Sequence, residues 1–367
     1  MEETLSFIPL LLVVLLAFLV PIVLSRFKKL LVPIVVGEIL AGIIIGPSVF
    51  DWVQPHVPVL DLLAEFGFVF LMFLSGMEID FSNLRIQRTP AQQKAAEKGR
   101  LSPLMIGGIS FCLTLILSAI VGYSLYTLGY VNDIWMAALI LSTTSLGIVV
   151  PVLKERGLST GRYGQTLLVA ALIADFATML LITVDVAVLS HGLTFDILLI
   201  GVLFVAFFLM VRFGNVFFNQ IPGVRRLLDE LSHATAQIKV RLAFTMMLVF
   251  VVLAEVLGAE VILGAFLAGA IISLLKRPED EELSHQLESI GFGFFIPIFF
   301  IMVGVSFNLQ AMLSSSQALL LVPFLVLAAY VVKVLPALVF KFNFNWRETL
   351  GAGTLLSARL SLIIAAS

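Results

Sequence analysis

One carboxylate interrupts the stretch LLVAALIADFATMLLITV, residues 167–184: Asp175, with apolar and small residues on both sides. A charge placed so deep in an apolar run costs about 3 kcal/mol on insertion scales and marks a functional position. Two cations, Lys333 and Arg359, also fall inside apolar runs. A hydroxyl cluster, Thr143, Thr144 and Ser145, lies in LSTTSLGIVVP and is followed closely by Gly147. Three hydroxyl residues and a glycine suit a helix broken in mid-membrane. Its unwound carbonyls and hydroxyl oxygens would coordinate a hard monovalent cation, with Asp175 supplying the charge. A carboxylate there binds a proton or a metal cation but not both, and competition of that kind suffices for an exchanger. The plainer readings are that the hydroxyls bond their own helix carbonyls, and that Asp175 pairs with Lys333 or Arg359 only to fix helix packing. Lys333 reads equally as a switch that releases Asp175 and as a structural partner. Arg359 reads best as a charge that neutralises the C-terminal ends of broken half-helices.

These residues need elements that bring them to one depth. The chain is 367 residues long, 60% hydrophobic and 13% charged, too apolar for a water-soluble domain. Twelve apolar spans of about 20 residues are legible: 7–24, 31–50, 59–79, 103–128, 133–153, 163–190, 194–218, 238–257, 260–275, 288–307, 317–340 and 349–367. The separators carry the breakers Gly46-Pro47, Pro55, Pro58, Gly129, Gly157, Pro222-Gly223 and Pro278. At about 1.5 Å per helical residue, Asp175, the hydroxyl cluster, Lys333 and Arg359 all fall near the bilayer midplane. Lys and Arg gather in every second loop, at Arg26, Lys28, Lys29, Lys154, Arg156 and Arg162 among others, whereas loops such as 50–58 and 308–316 have none. The rule that basic loops stay inside places the N-terminus outside.

The remaining composition mainly excludes. A net charge of −2 and the absence of a basic tract give nucleic acid nothing to bind, and the single Cys112 rules out an internal disulfide or a cysteine metal site. No basic n-region precedes Phe7–Leu24, which reads as a retained helix. An intramembrane aspartyl protease would need a second midplane aspartate, so the chain reads as a transporter and not an enzyme. Glu38, Glu65, Asp185 and Glu255 read as further buried acids; Asp185, Glu255 and Glu260, at outer ends of their spans, read as a solvated rim, with a cation-attracting outer mouth as the alternative. The polar loop 80–102 is a solvated connector or a short interfacial helix, and the loop 219–237 reads as the junction of two halves.

The segments VPIVVGEILAGIIIGPSVF, LLAEFGFVFLMFLSGMEID, LGAFLAGAIIS and FFIPIFFIMVGVSFNL resemble the monovalent cation–proton antiporters of the Kef and sodium–proton exchanger type. The likeness runs over essentially the whole chain. It implies an all-α polytopic membrane protein built from two inverted repeats, with two crossing discontinuous helices. Here these would be the fifth span, broken near Thr143–Ser145, and the twelfth, broken near Arg359. The repeats would occupy 1–218 and 238–367, with a thirteenth helix expected after Ser367. The resemblance further implies elevator-type alternating access, a homodimer in the inner (plasma) membrane, and in Kef-type relatives a C-terminal cytoplasmic regulatory domain. No Gly-rich dinucleotide fingerprint occurs in these residues.

Asp175 matches the family's ion-binding aspartate, and Lys333 the basic residue before the second crossing helix. Electrogenic members carry two adjacent acids; Ala174 stands in place of the first, which implies electroneutral exchange and leaves Lys333 without its usual partner. The transported ions would be H+ with K+ or Na+, and no cofactor is implied. The alternative on the same fold is a sodium-coupled organic solute transporter, which would need a roomier site.

Overall fold

The computed structural model describes residues 7–26, 33–78, 101–191, 237–258, 261–275, 281–314 and 316–358, with scattered positions between 202 and 212. The described residues are helical, with no strand. The helices are α1 (Ile8–Arg26), α2 (Ile34–Ile45), α3 (Pro58–Met77), α4 (Pro103–Thr127), α5 (Ile134–Ser142), α6 (Leu146–Glu155), α7 (Arg162–His191), α8 (Ile238–Val256), α9 (Val261–Leu275), α10 (Glu281–Ile290), α11 (Ile296–Val305), α12 (Leu309–Ser314), α13 (Ser316–Ala337) and α14 (Trp346–Leu356). Among them, seven stretches are long and apolar enough to cross a membrane, with α5 and α6 forming one such stretch. This is a multi-pass membrane protein.

The breakers do what their chemistry requires. Gly46 ends α2 after 12 residues. Gly129 and Gly157 adopt φ of +76° and +64°, the left-handed region that glycine enters without a Cβ clash. Pro58 and Pro103 start their helices, where a missing N–H costs nothing. One helix starts earlier than its apolar pattern: α10 begins at Glu281, seven residues before the expected 288, because an amphipathic polar turn precedes the apolar run. A π-helical turn, Gly291–Phe295, joins α10 to α11.

Two groups of helices result. In one, α1, α2, α3, α8, α9 and α11 pack together; in the other, α4, α5, α7, α13 and α14 do. The first group is closely interlocked. A Cβ on Gly304 would lie 2.1 Å from the Ile39 carbonyl oxygen, and one on Gly269 would lie 1.9 Å from that of Phe73. Backbones this close gain dispersion along their length, the main attraction between helices in lipid. Helix α6 packs on α7 and also reaches α3 and α2, so it lies at the boundary between the groups.

Candidate functional site

The fifth span breaks where its hydroxyl residues fall. Helix α5 stops at Ser142, Thr143 turns to φ −58° and ψ 153°, and α6 starts after Ser145. Local bonds favour the break. The Ser142 hydroxyl donates to the Leu139 carbonyl at 2.8 Å, and the Thr143 hydroxyl to that of Ile140 at 2.9 Å. The Leu139 carbonyl also accepts the Thr143 N–H at 3.1 Å, so the hydroxyls add side-chain bonds to the carbonyls of the last turn of α5.

Two half-helix ends of opposite polarity therefore face each other inside the protein. At the negative end, the Lys333 ammonium donates to the Ser142 carbonyl and to the Thr144 hydroxyl oxygen, both at 2.6 Å. At the positive end, the Asp175 carboxylate lies by the backbone N–H of Leu146, and Lys333 is close enough to act on that carboxylate electrostatically. Each charge sits at the helix end that its sign favours. Thr143, Thr144, Ser145, Asp175 and Lys333 are all 5% exposed or less. The break also meets α14: Ser145 N–H donates to the carbonyl of Ala358, just past the end of that helix, at 3.1 Å. The structure thus joins Asp175, the hydroxyl cluster and Lys333 in one place. Arg359 lies outside the described residues, as do Glu260, most of the 80–102 loop, nearly all of the 219–237 junction and most of the 194–218 span.

The other acids divide. Glu38 is buried on α2, with Glu155 as its electrostatic neighbour. Glu65 and Glu255, expected to be buried, are exposed on α3 and α8; depth along a span does not reveal which face turns inward. Glu65 lies two turns along α3 from Met72, which flanks Gly147 near the break. Asp185 is half-buried, and one of its carboxylate oxygens has no hydrogen-bond partner.

One polar cluster escaped the sequence reading. Lys154, at the end of α6, pairs with Glu78 at 2.5 Å and with Glu288 at 2.9 Å, and lies 5.2 Å from the centre of the Phe292 ring. Its only trace in the sequence is the spacing of Glu288 and Phe292, four residues apart.

A helix broken beside a buried carboxylate, inside a multi-pass bundle, is a feature of secondary active transporters. Residues 14–367 match the family described as sodium/hydrogen exchanger, transmembrane, and the chain belongs to that family. It is 41% identical over 359 residues to a putative Na+/H+ antiporter, YjbQ, of Bacillus subtilis, covering 97% of this chain and 56% of that one. The chain thus spans little more than half the length of that relative. It is 31% identical over 315 residues to the probable Na+/H+ antiporter 3 of Methanocaldococcus jannaschii, covering 83% of this chain and 72% of that one. The solved sodium proton antiporter MjNhaP1 of M. jannaschii shares the fold, with a TM-score of 0.58 at 16% identity over 96% of this chain and 85% of that one. These relatives lend no support to the organic-solute alternative.

Proposed function

We propose that this chain exchanges protons for a monovalent cation, Na+ or K+, across the inner (plasma) membrane, with Asp175 as the group for which the two ions compete. The observation that carries the reading is the buried Asp175 carboxylate beside the N-terminus of a half-helix in mid-span. The helix end supports the negative form when a cation is bound, and protonation discharges the site when none is. Thr143, Thr144 and Ser145 supply oxygens beside it. Lys333 neutralises the opposite half-helix end, and Arg359 supports the second break. Ala174 leaves one carboxylate for one cation, so exchange is one for one and electroneutral. Alternating access moves the group built on α4, α5, α7, α13 and α14 against the other group, within a homodimer whose N-termini face outward. The two groups draw on both halves of the chain, 1–218 and 238–367, as two inverted repeats joined at 219–237 would do.

The test is a proteoliposome carrying an internal pH dye, given Na+ or K+ outside with the voltage clamped by valinomycin. The expected result is cation-driven proton movement that is unaffected by the clamped voltage and is abolished in Asp175→Asn, which keeps the shape and removes the titrating charge. Cation-coupled proton flux surviving in folded Asp175→Asn would overturn the assignment.

A further inference from the structure

Helix α6 carries the candidate site at one end and Lys154 at the other. Eight residues, roughly 12 Å at the helical rise, separate Leu146 from Lys154. At the Lys154 end, several polar links from α6 and from the start of α7 run to the other helix group. Lys154 binds Glu78, just past the end of α3, and Glu288 of α10. The Ile34 N–H, at the start of α2, donates to a Glu155 carboxylate oxygen at 3.1 Å. The Gln165 amide donates to the Glu78 carbonyl at 3.4 Å. The π-helical turn widens the helix just after Glu288 and lets Phe292 approach the same ammonium from a second side. π-helical turns of this kind occur often where a helix serves a function. Lys154 and Glu78 are 19% and 17% exposed, shielded enough for the pairs to count yet reachable by water.

We propose that Lys154, clamped by Glu78, Glu288 and the Phe292 ring, is a latch between the two helix groups. It holds the transporter closed on the side of its basic loops and must open each time α6 carries the site to that side. This rests on the alternating-access reading above. It adds which contact has to break, and it makes Glu288 and the π-turn the fixed half of the clasp. Asp175 and its partners are untouched by the latch, so its loss changes how often the site reaches the inner face and not what the site binds.

The test is hydrogen–deuterium exchange on the purified protein in lipid nanodiscs, comparing wild type with Glu288→Gln, Lys154→Met and the charge-keeping Lys154→Arg. The latch predicts faster exchange confined to peptides covering 146–165 and 281–295 in Glu288→Gln and Lys154→Met, by about fivefold for loss of a half-buried ion pair, with Lys154→Arg staying close to wild type. Glu288→Gln preserves side-chain shape and keeps the test valid if Lys154→Met folds poorly. Unchanged exchange in Glu288→Gln, or Lys154→Arg exchanging as fast as Lys154→Met, overturns the latch. The readout needs no transport, so failure of the ion-exchange assignment leaves it interpretable. Where exchange of ions is measurable, Glu288→Gln is expected to raise the maximal rate with an unchanged cation KM.

Discussion

Replacing Lys333 with methionine tests whether the broken helix depends on the ammonium that caps it. The variant keeps the apolar stem and removes both 2.6 Å bonds, to the Ser142 carbonyl and the Thr144 hydroxyl oxygen. The hydroxyl can rotate toward another partner, so its loss is small. The Ser142 carbonyl ends a half-helix away from water, and stranding it costs about 1–3 kcal/mol. Losing a cation from a buried helix C-terminus adds up to about 2 kcal/mol. Against this, methionine no longer has to bury a charge, which returns part of the cost. The balance is a destabilisation of about 2 kcal/mol, or a fall of about 3 °C in the melting midpoint for a 367-residue chain. The assay is thermal unfolding of purified protein followed by monodisperse recovery, with Thr144→Val alongside. Thr144→Val leaves the Ser142 bond in place and is expected to cost less than half as much. If Lys333→Met melts with wild type, or if Thr144→Val costs as much as it does, the ammonium does not hold the break together.

Three further outcomes are expected. Competition at one carboxylate requires the apparent KM for the cation to rise as pH falls, by up to about tenfold per pH unit where protons dominate the site, with the maximal rate at saturating cation unchanged; a pH-independent KM in the proteoliposome assay would refute competition. Gly304→Ala would press a Cβ to 2.1 Å from the Ile39 carbonyl oxygen and 2.9 Å from Gly42 Cα, forcing α2 and α11 apart at a cost of about 1–3 kcal/mol. Gly108→Ala, with nothing within 4 Å, is expected to melt with wild type in the same experiment.

Much of the site was legible because a charge or hydroxyl cluster in an apolar run is costly unless it is used. Asp175, Lys333 and Thr143–Ser145 were each visible on that ground, and helical rise alone put them at one depth. What the sequence did not carry was azimuth. Glu65 and Glu255 fall inside apolar spans as Asp175 does, yet both lie on exposed faces. The partner of Lys333 was equally hidden, since a long flexible side chain can reach a carbonyl that no residue type announces. Lys154 shows the converse. In a basic loop region it served only to orient the chain, and its carboxylate partners lie 76 and 134 positions away in the sequence. Glu288 was further obscured because α10 begins in polar sequence, where an apolar window finds no helix.

The two kinds of helix contact in this molecule suit different tasks. Gly42 against Gly304 and Gly269 against Phe73 bring backbones together with no room for a methyl group, and such packing has no intermediate position: it is made or it is lost. Sliding along those seams would forfeit dispersion over several turns at once. The boundary at α6 is different. It is joined by a few long, charged or amide side chains from Lys154, Glu155 and Gln165, which can exchange their partners for water at the membrane surface. An ion pair that is mostly shielded yet reached by water is strong enough to select one arrangement and weak enough to be broken thermally. On the alternating-access reading proposed above, the motion that carries Asp175 between two aqueous faces therefore belongs at α6. The glycine seams keep each α2–α11 and α3–α9 pair a rigid surface for it to move against.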